Sequence, residues 1–158
     1  MNEERQNFVA FTDGSCNNLQ SPHNGGWAFI VFKGNLLKPE IKEADYVESG
    51  GAINTTNNIM ELAAIISMAK RIPEHSNVAI VTDSQYCITV LDHKTKTFSK
   101  NMNLIECFRK NVSQRDINYS FHWIKGHSGN KYNEFVDKLA VSEYIKLNGI
   151  NVNLEGFM

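Results

Sequence analysis

The chain has 158 residues, a formal net charge of −1 and a pI of about 6.5, with 42% hydrophobic and 21% charged residues. Those values fit one ordinary globular domain spanning residues 1–158 and exclude disordered and fibrous classes. A charge balance near zero advertises no polyanion partner, so any nucleic-acid binding must come from local basic groups or from a bound metal.

Phe8-Val9-Ala10-Phe11 opens the first element, an apolar run of strand length that stops at Thr12-Asp13-Gly14-Ser15. An acid at the tip of a buried strand asks for a cation. Cys16 to Gly26 contains Asn17-Asn18, Pro22, Asn24 and Gly25-Gly26 and reads as an exposed loop. Trp27 to Phe32 reads as a strand, and Lys33-Gly34-Asn35 as the turn that reverses it. A third strand falls between Lys38 and Gly50, carried by Ile41, Ala44, Tyr46 and Val47. The chain thus opens as an antiparallel meander, which Gly50-Gly51 is expected to break.

Thr55-Thr56-Asn57-Asn58 supplies four N-cap candidates for a helix from Ile59 to Ile72, which Pro73 follows. Ile59, Leu62, Ala63, Ile66 and Ala69 form one apolar face, widened by Ile65, Met68 and Ile72. Glu61 heads the second stripe, a carboxylate at the rim of a buried face. Asn77 to Thr82 is a second buried strand, and it too runs into a Thr-Asp step, Thr82-Asp83. A short helix then extends to about Leu91, His93 to Lys100 is a basic connector, and a further helix covers about Asn103 to Val112. Ile117 to Trp123 alternates as a strand, Lys125 to Asn130 is a glycine-flanked loop, and the last helix covers about Tyr132 to Leu147. Residues from about 148 to 158 read as a loose tail. The order β-β-β-α-β-α-α-β-α, without internal repeats, predicts an α/β domain with a mixed sheet.

Both buried runs are apolar on both faces, as in strands covered on each side. As sheet neighbours ~4.8 Å apart they would set Asp13 and Asp83 side by side. Carboxylates that close repel, and one holds a proton at neutral pH unless a cation neutralises the pair. Asp13, Glu61, Asp83 and Asp137 each stand at an element terminus or on a buried stripe. Each also fits a plainer role: Asp83 as an N-cap, Glu61 in a capping box with Asn58, Asp13 in a turn and Asp137 on a solvated face. Those roles leave two strands ending in the same Thr-Asp step unexplained.

Oxygen ligands without cysteine suit a hard cation such as Mg²⁺ or Mn²⁺. Two such ions ~3.5–4 Å apart fit hydrolysis of a nucleic-acid phosphodiester. His127, in the loop bounded by Gly126 and Gly129, is free to swing and can carry a proton for the departing group. Thr56, Asn57, Asn58 and Gln85 are uncharged donors and acceptors at helix starts, suited to sugar hydroxyls, base edges and phosphate, although capping accounts for some of them. His23, His75, His93 and His122 have no such setting. Cys16, Cys87 and Cys107 are odd in number and far apart, which fits a reducing compartment. With no signal or transit pattern at the start and no bilayer-length apolar run, the expected location is the cytoplasm, with no membrane partner.

Four stretches resemble the type 1 ribonuclease H family, enzymes that cut the RNA strand of RNA–DNA hybrids: Phe11-Thr-Asp-Gly-Ser-Cys16, Thr55-Thr-Asn-Asn-Ile-Met-Glu-Leu62, Thr82-Asp-Ser-Gln-Tyr86, and Trp123-Ile-Lys-Gly-His-Ser-Gly129 leading into Asn133-Glu-Phe-Val-Asp-Lys-Leu-Ala140. The resemblance implies a ribonuclease H-like fold, a five-stranded mixed sheet with its first three strands antiparallel, flanked by helices. It implies an endonuclease leaving 3′-hydroxyl and 5′-phosphate ends; the expected working unit is a monomer. Asp13, Glu61, Asp83 and Asp137 would hold two Mg²⁺ ions, and His127 would be the mobile proton carrier. The backbone of Gly14, Ser15 and Cys16, with Asn57 and Gln85, would lie along the RNA strand, while Thr56 and Asn58 would face the DNA strand. Asn133 matches a further position near the last acid.

Two features depart from the family pattern. The segment Asn17 to Asn24 replaces a glycine- and proline-rich loop whose asparagine helps hold a DNA phosphate. Only Asp92 to Asn101 stands where many members carry a basic helix-and-loop protrusion, with Lys94, Lys96 and Lys100 as its remnant or as a solvated linker. Fewer phosphate contacts should weaken hybrid affinity and flatten its salt dependence. Two rivals stand beside this reading: a related polynucleotidyl transferase acting on DNA, and a hybrid-binding module without catalysis. The Thr-Thr-Asn-Asn stretch and the Lys-Gly-His loop argue against the first. Four carboxylates that repel a phosphate backbone argue against the second.

Overall fold

The computed structural model describes residues 4–19, 21–34, 38–93 and 96–147. The expected tail beyond Asn148, Lys94 in the basic connector and Asn35 in the first hairpin lie outside the described residues. Five strands, β1 (Gln6–Cys16), β2 (Gly25–Lys33), β3 (Tyr46–Ala52), β4 (Ser76–Thr82) and β5 (Asn118–Trp123), form one sheet in the order β3-β2-β1-β4-β5. β1 to β3 pair antiparallel, whereas β4 runs parallel to both β1 and β5. Parallel neighbours need crossovers. α1 (Asn57–Arg71) provides the first, leading from β3 to β4, and α2 (Gln85–Leu91) and α3 (Met102–Gln114) provide the second, leading to β5. α4 (Lys131–Leu147) closes the described chain.

The doubly apolar strands have a cover on each face. Phe8, Ala10, Phe29, Val31, Val78 and Ile80 pack with Leu62, Ile65, Leu91, Ile105 and Phe108 from the crossover helices. The alternate residues Phe11, Ala28, Ile30 and Phe32 pack with Phe135, Val136, Leu139 and Ala140 of α4. Full burial of each large side chain contributes about 1.5–3 kcal/mol, so the central strands are the rigid part of the molecule. Their C-terminal tips are therefore firm mounts for whatever they carry.

Several element limits differ from expectation, each for a tertiary reason. β1 continues through Gly14 to Cys16, because these residues still pair with Trp27, Gly26 and Gly25, so the first loop is shorter than expected. Ile41–Glu43 is a short 3-10 helix, and strand pairing resumes only when Asp45 N–H donates to Val31 O at 2.9 Å. Gly50-Gly51 does not break β3. The Trp27 indole lies over Gly50, where an added Cβ would come within 2.6 Å of the ring. Space for a tryptophan, not a chain reversal, is what that glycine provides. Thr56 caps α1 by accepting from Ile59 N–H at 3.1 Å, so the helix starts at Asn57.

Candidate functional site

β1 and β4 are neighbours whose last paired residues are Phe11 and Val81. Asp13 and Asp83 each follow two residues later, where the two strands part. Below that opening, α1 approaches β1 backbone to backbone: a Cβ on Gly14 would come within 2.3 Å of Glu61 N and Met60 C. The glycine lets the first turns of α1 sit on the strand, and this contact brings Glu61 to Asp13. Glu61 is accordingly buried, not at the rim of the helix face, with 7% of its surface exposed against 4% for Asp13.

The Gly14 N–H is held by both acids, at 2.9 Å from Asp13 Oδ1 and 2.9 Å from Glu61 Oε1. One ligand oxygen each from Asp13, Glu61 and Asp83 lies within 4.8 Å of the others. Asp137 is not in that tight group, yet its charge acts on all three. Burial, then the bond and charge of Glu61, push the Asp13 carboxyl far above the usual carboxylate range. Burial likewise raises Glu61, to about 7, although its bonds to Asp13 and Gly14 pull in the other direction. Burial and the Asp137 charge raise Asp83, while its own backbone N–H and His127 oppose the shift. Burial is the common and largest cause, and repulsion among the acids adds to it.

Capping does not occupy these acids. Ser84 caps α2, accepting from Cys87 N–H at 3.1 Å, and Thr82 Oγ1 accepts from Ser84 N–H at 3.0 Å. Glu61 lies beyond the Thr56 cap and bonds across to β1 instead. Its Oε2 is buried without a hydrogen-bond partner. A buried carboxylate oxygen left so is met by a proton shared with Asp13 or by a cation. An all-oxygen donor set of three close acids, one with an unmatched oxygen, fits a divalent hard cation.

The remaining candidates fall into two groups. Thr56, Asn57, Asn58 and Gln85 are exposed at the starts of α1 and α2. His127 is exposed, adopts φ of 55° in the loop before α4, and is close enough for its charge to act on Asp83. The other group is turned inward. Asn133 is 4% exposed, one turn before Asp137. The Gly14 N–H, expected along the RNA strand, is taken by Asp13 and Glu61, and Ser15 and Cys16 continue the pairing with β2. The Cys16 thiol is buried and donates to Thr55 O at 3.4 Å.

Two contacts around Asp83 are not predicted by the sequence pattern. Trp123 Nε1–H donates to Asp83 O at 3.2 Å. The backbone of Gly126 passes so near that a Cβ there would stand 2.8 Å from Asp83 Oδ2. The signal available in the sequence was an indole donor and a glycine at fixed distance from the same strand end.

The sheet and its acids define a mixed α/β protein with an all-carboxylate cluster, able to hold a cation, where two parallel strands part. The family model described as RNase H matches residues 5–145. The chain belongs to the RNase H family. It is 36% identical over 146 residues to a Ribonuclease H of Nitratidesulfovibrio vulgaris, covering 85% of this chain and 87% of that one. A Ribonuclease HI of Synechocystis sp. is 31% identical over 160 residues, covering 93% and 92% respectively. Among solved structures, LC9-RNase H1, described as a type 1 RNase H with the type 2 active-site motif, superposes with a TM-score of 0.69 at 22% identity. That superposition covers 92% of this chain and 75% of the other.

Proposed function

We propose that this protein is a metal-dependent endonuclease that hydrolyses the RNA strand of RNA–DNA hybrids. The observation that carries the reading is the buried Asp13, Glu61 and Asp83 cluster, set at the mouth between β1 and β4 with an unmatched oxygen on Glu61. Asp13, Glu61 and Asp83 would hold divalent ions, two Mg²⁺ or Mn²⁺ with substrate, and Asp137 would complete the set from α4. Bound there, such ions supply Lewis-acid chemistry, lowering the pKa of the attacking water and neutralising charge on the leaving 3′-oxygen, which gives 3′-hydroxyl and 5′-phosphate ends.

The chain's own groups do the rest. Rigid strand tips fix Asp13 and Asp83, and the Gly14 N–H orients Asp13 and Glu61 toward one point. Thr56, Asn57, Asn58 and Gln85 present neutral donors and acceptors to the two strands, and a ribose 2′-hydroxyl is the group by which RNA is told from DNA. His127 carries a proton to or from the departing group at its exposed ring. With a net charge of −1 and only the short connector carrying Lys94, Lys96 and Lys100 between α2 and α3, hybrid affinity should be modest and its salt dependence shallow. The working unit is a monomer of one domain, and the three free cysteines fit the cytoplasm.

A substrate panel tests the reading. RNA–DNA hybrid, single-stranded RNA, duplex RNA and duplex DNA are incubated separately with Mn²⁺, and only the hybrid is expected to be cut. Cutting of duplex DNA instead would favour a DNA polynucleotidyl transferase, and hybrid binding without cutting would favour a module that lacks chemistry. Within the enzyme, His127→Ala should lower kcat about 100-fold and leave KM within about twofold, because a proton carrier acts on the reaction and not on binding. A rise in KM at unchanged kcat would move His127 from the chemistry to the substrate grip.

A further inference from the structure

We infer that Trp123 is a positioning residue for Asp83: its indole N–H fixes the Asp83 main chain, and so the direction in which that carboxylate meets a metal. The inference rests on the reading that Asp83 holds a divalent ion. Trp123 ends β5 with 50% of its surface exposed, one of the few large apolar side chains so placed among the described residues. Core packing does not account for a tryptophan there, since half of the residue's surface is exposed. Its one polar atom, however, is engaged, donating to Asp83 O at 3.2 Å.

Everything else around Asp83 is fixed from one side or the other. Thr82 is held by β5 through Ile124 N–H at 3.0 Å from its carbonyl, and Ser84 by the cap of α2. Asp83 lies between these anchors, beyond the last β4–β5 pair of Thr82 with Trp123, with ψ and side-chain direction to be set. The indole N–H bond sets the carbonyl, and the backbone of Gly126 limits where Oδ2 can swing. Outer partners of this kind orient ligands without touching the ion. The other half of the cluster is held directly at its carboxylates, by the Gly14 N–H shared by Asp13 and Glu61, whereas the indole acts on Asp83 through its main chain.

Two variants separate the N–H from the ring. Trp123→Phe keeps an aromatic ring and removes the donor; Trp123→Leu removes both. Mn²⁺ binding to the hybrid-free protein is read from the electron paramagnetic resonance of free Mn²⁺, beside Asp83→Asn. Thermal unfolding in chelator checks that each variant folds. Both tryptophan variants should weaken Mn²⁺ binding by about three- to tenfold, with the hybrid KM within about twofold of the parent. Parent-like Mn²⁺ affinity in Trp123→Phe would overturn the inference and leave the metal site standing. A raised KM in Trp123→Leu alone would also overturn it, assigning the ring to substrate. If the parent and Asp83→Asn titrated alike, no ion would sit at Asp83, and the metal reading would fall with the inference.

Discussion

Asp13→Asn should abolish hybrid cleavage and, in the absence of metal, make the protein more stable than its parent at neutral pH. Cleavage is expected to fall by roughly a thousandfold or more, because losing one ligand of the cluster forfeits about 4 kcal/mol of charge stabilisation in the transition state. The gain in stability follows from the raised carboxyls of Asp13 and Glu61, whose proximity and burial penalise the ionised pair. An acid whose folded pKa lies above its unfolded value contributes no penalty at low pH. It costs stability progressively as pH rises from the unfolded pKa through the folded one. For Glu61 that window runs from 4.5 to about 7, and for Asp13 it begins near 3.8 and extends upward.

An amide at position 13 ionises in neither the folded nor the unfolded state, keeps an oxygen for the Gly14 N–H, and offers an N–H to the unmatched Glu61 Oε2. The variant's advantage over its parent should therefore be small at about pH 4 and reach about 2–4 kcal/mol near pH 8. Urea unfolding in chelator across that range measures it. An advantage that shrank as pH rose would contradict the repulsion on which the site is built. Adding Mn²⁺ should stabilise the parent more than the variant, since a ligand that binds only the folded state raises stability by mass action.

Gly14→Ala should cost about 3 kcal/mol or more of stability, although it adds only one methyl group. The new Cβ would meet Glu61 N and Met60 C at 2.3 Å and Met60 O at 2.6 Å, all backbone atoms of α1. A flexible side chain could turn away; a helix backbone cannot, so either α1 lifts from β1 or β1 bends. Each response separates Glu61 from Asp13 and withdraws the Gly14 N–H from both acids. A lower urea midpoint at unchanged slope, with Mn²⁺ binding weakened beyond what the stability loss explains, is the expected result. A variant as stable as its parent would mean that α1 does not rest on the strand as closely as described.

The two Thr-Asp steps made the site legible, because strand tips are set by local sequence and their pairing follows from doubly apolar runs. Element order was legible for the same reason: Ile59 to Ile72 and the two buried strands carry their patterns within themselves. What escaped depended on contacts between segments far apart in sequence. Gly50 reads as a breaker until Trp27 is known to lie on it, and Asp13 fits a turn before Gly14 until α1 is known to press against that glycine. Ser84 and Asp83 are equally good caps by type, and only the fold shows Ser84 bonding Cys87 N–H. Nor could spacing tell that Asp137 stands outside the tight group or that Asn133 is buried, since both depend on how α4 is seated on β2 and β1.

The most direct test of the central claim uses one RNA–DNA hybrid with its two strands distinguishably labelled, incubated with the parent protein in Mg²⁺, in Mn²⁺ and in chelator, beside Asp13→Asn. Cutting of the RNA strand alone, present with metal and absent in chelator and in the variant, is the predicted result. A hybrid left intact with both metals at low salt, or RNA cut equally well in chelator, would contradict the assignment of the carboxylate cluster as a metal-dependent hydrolytic centre.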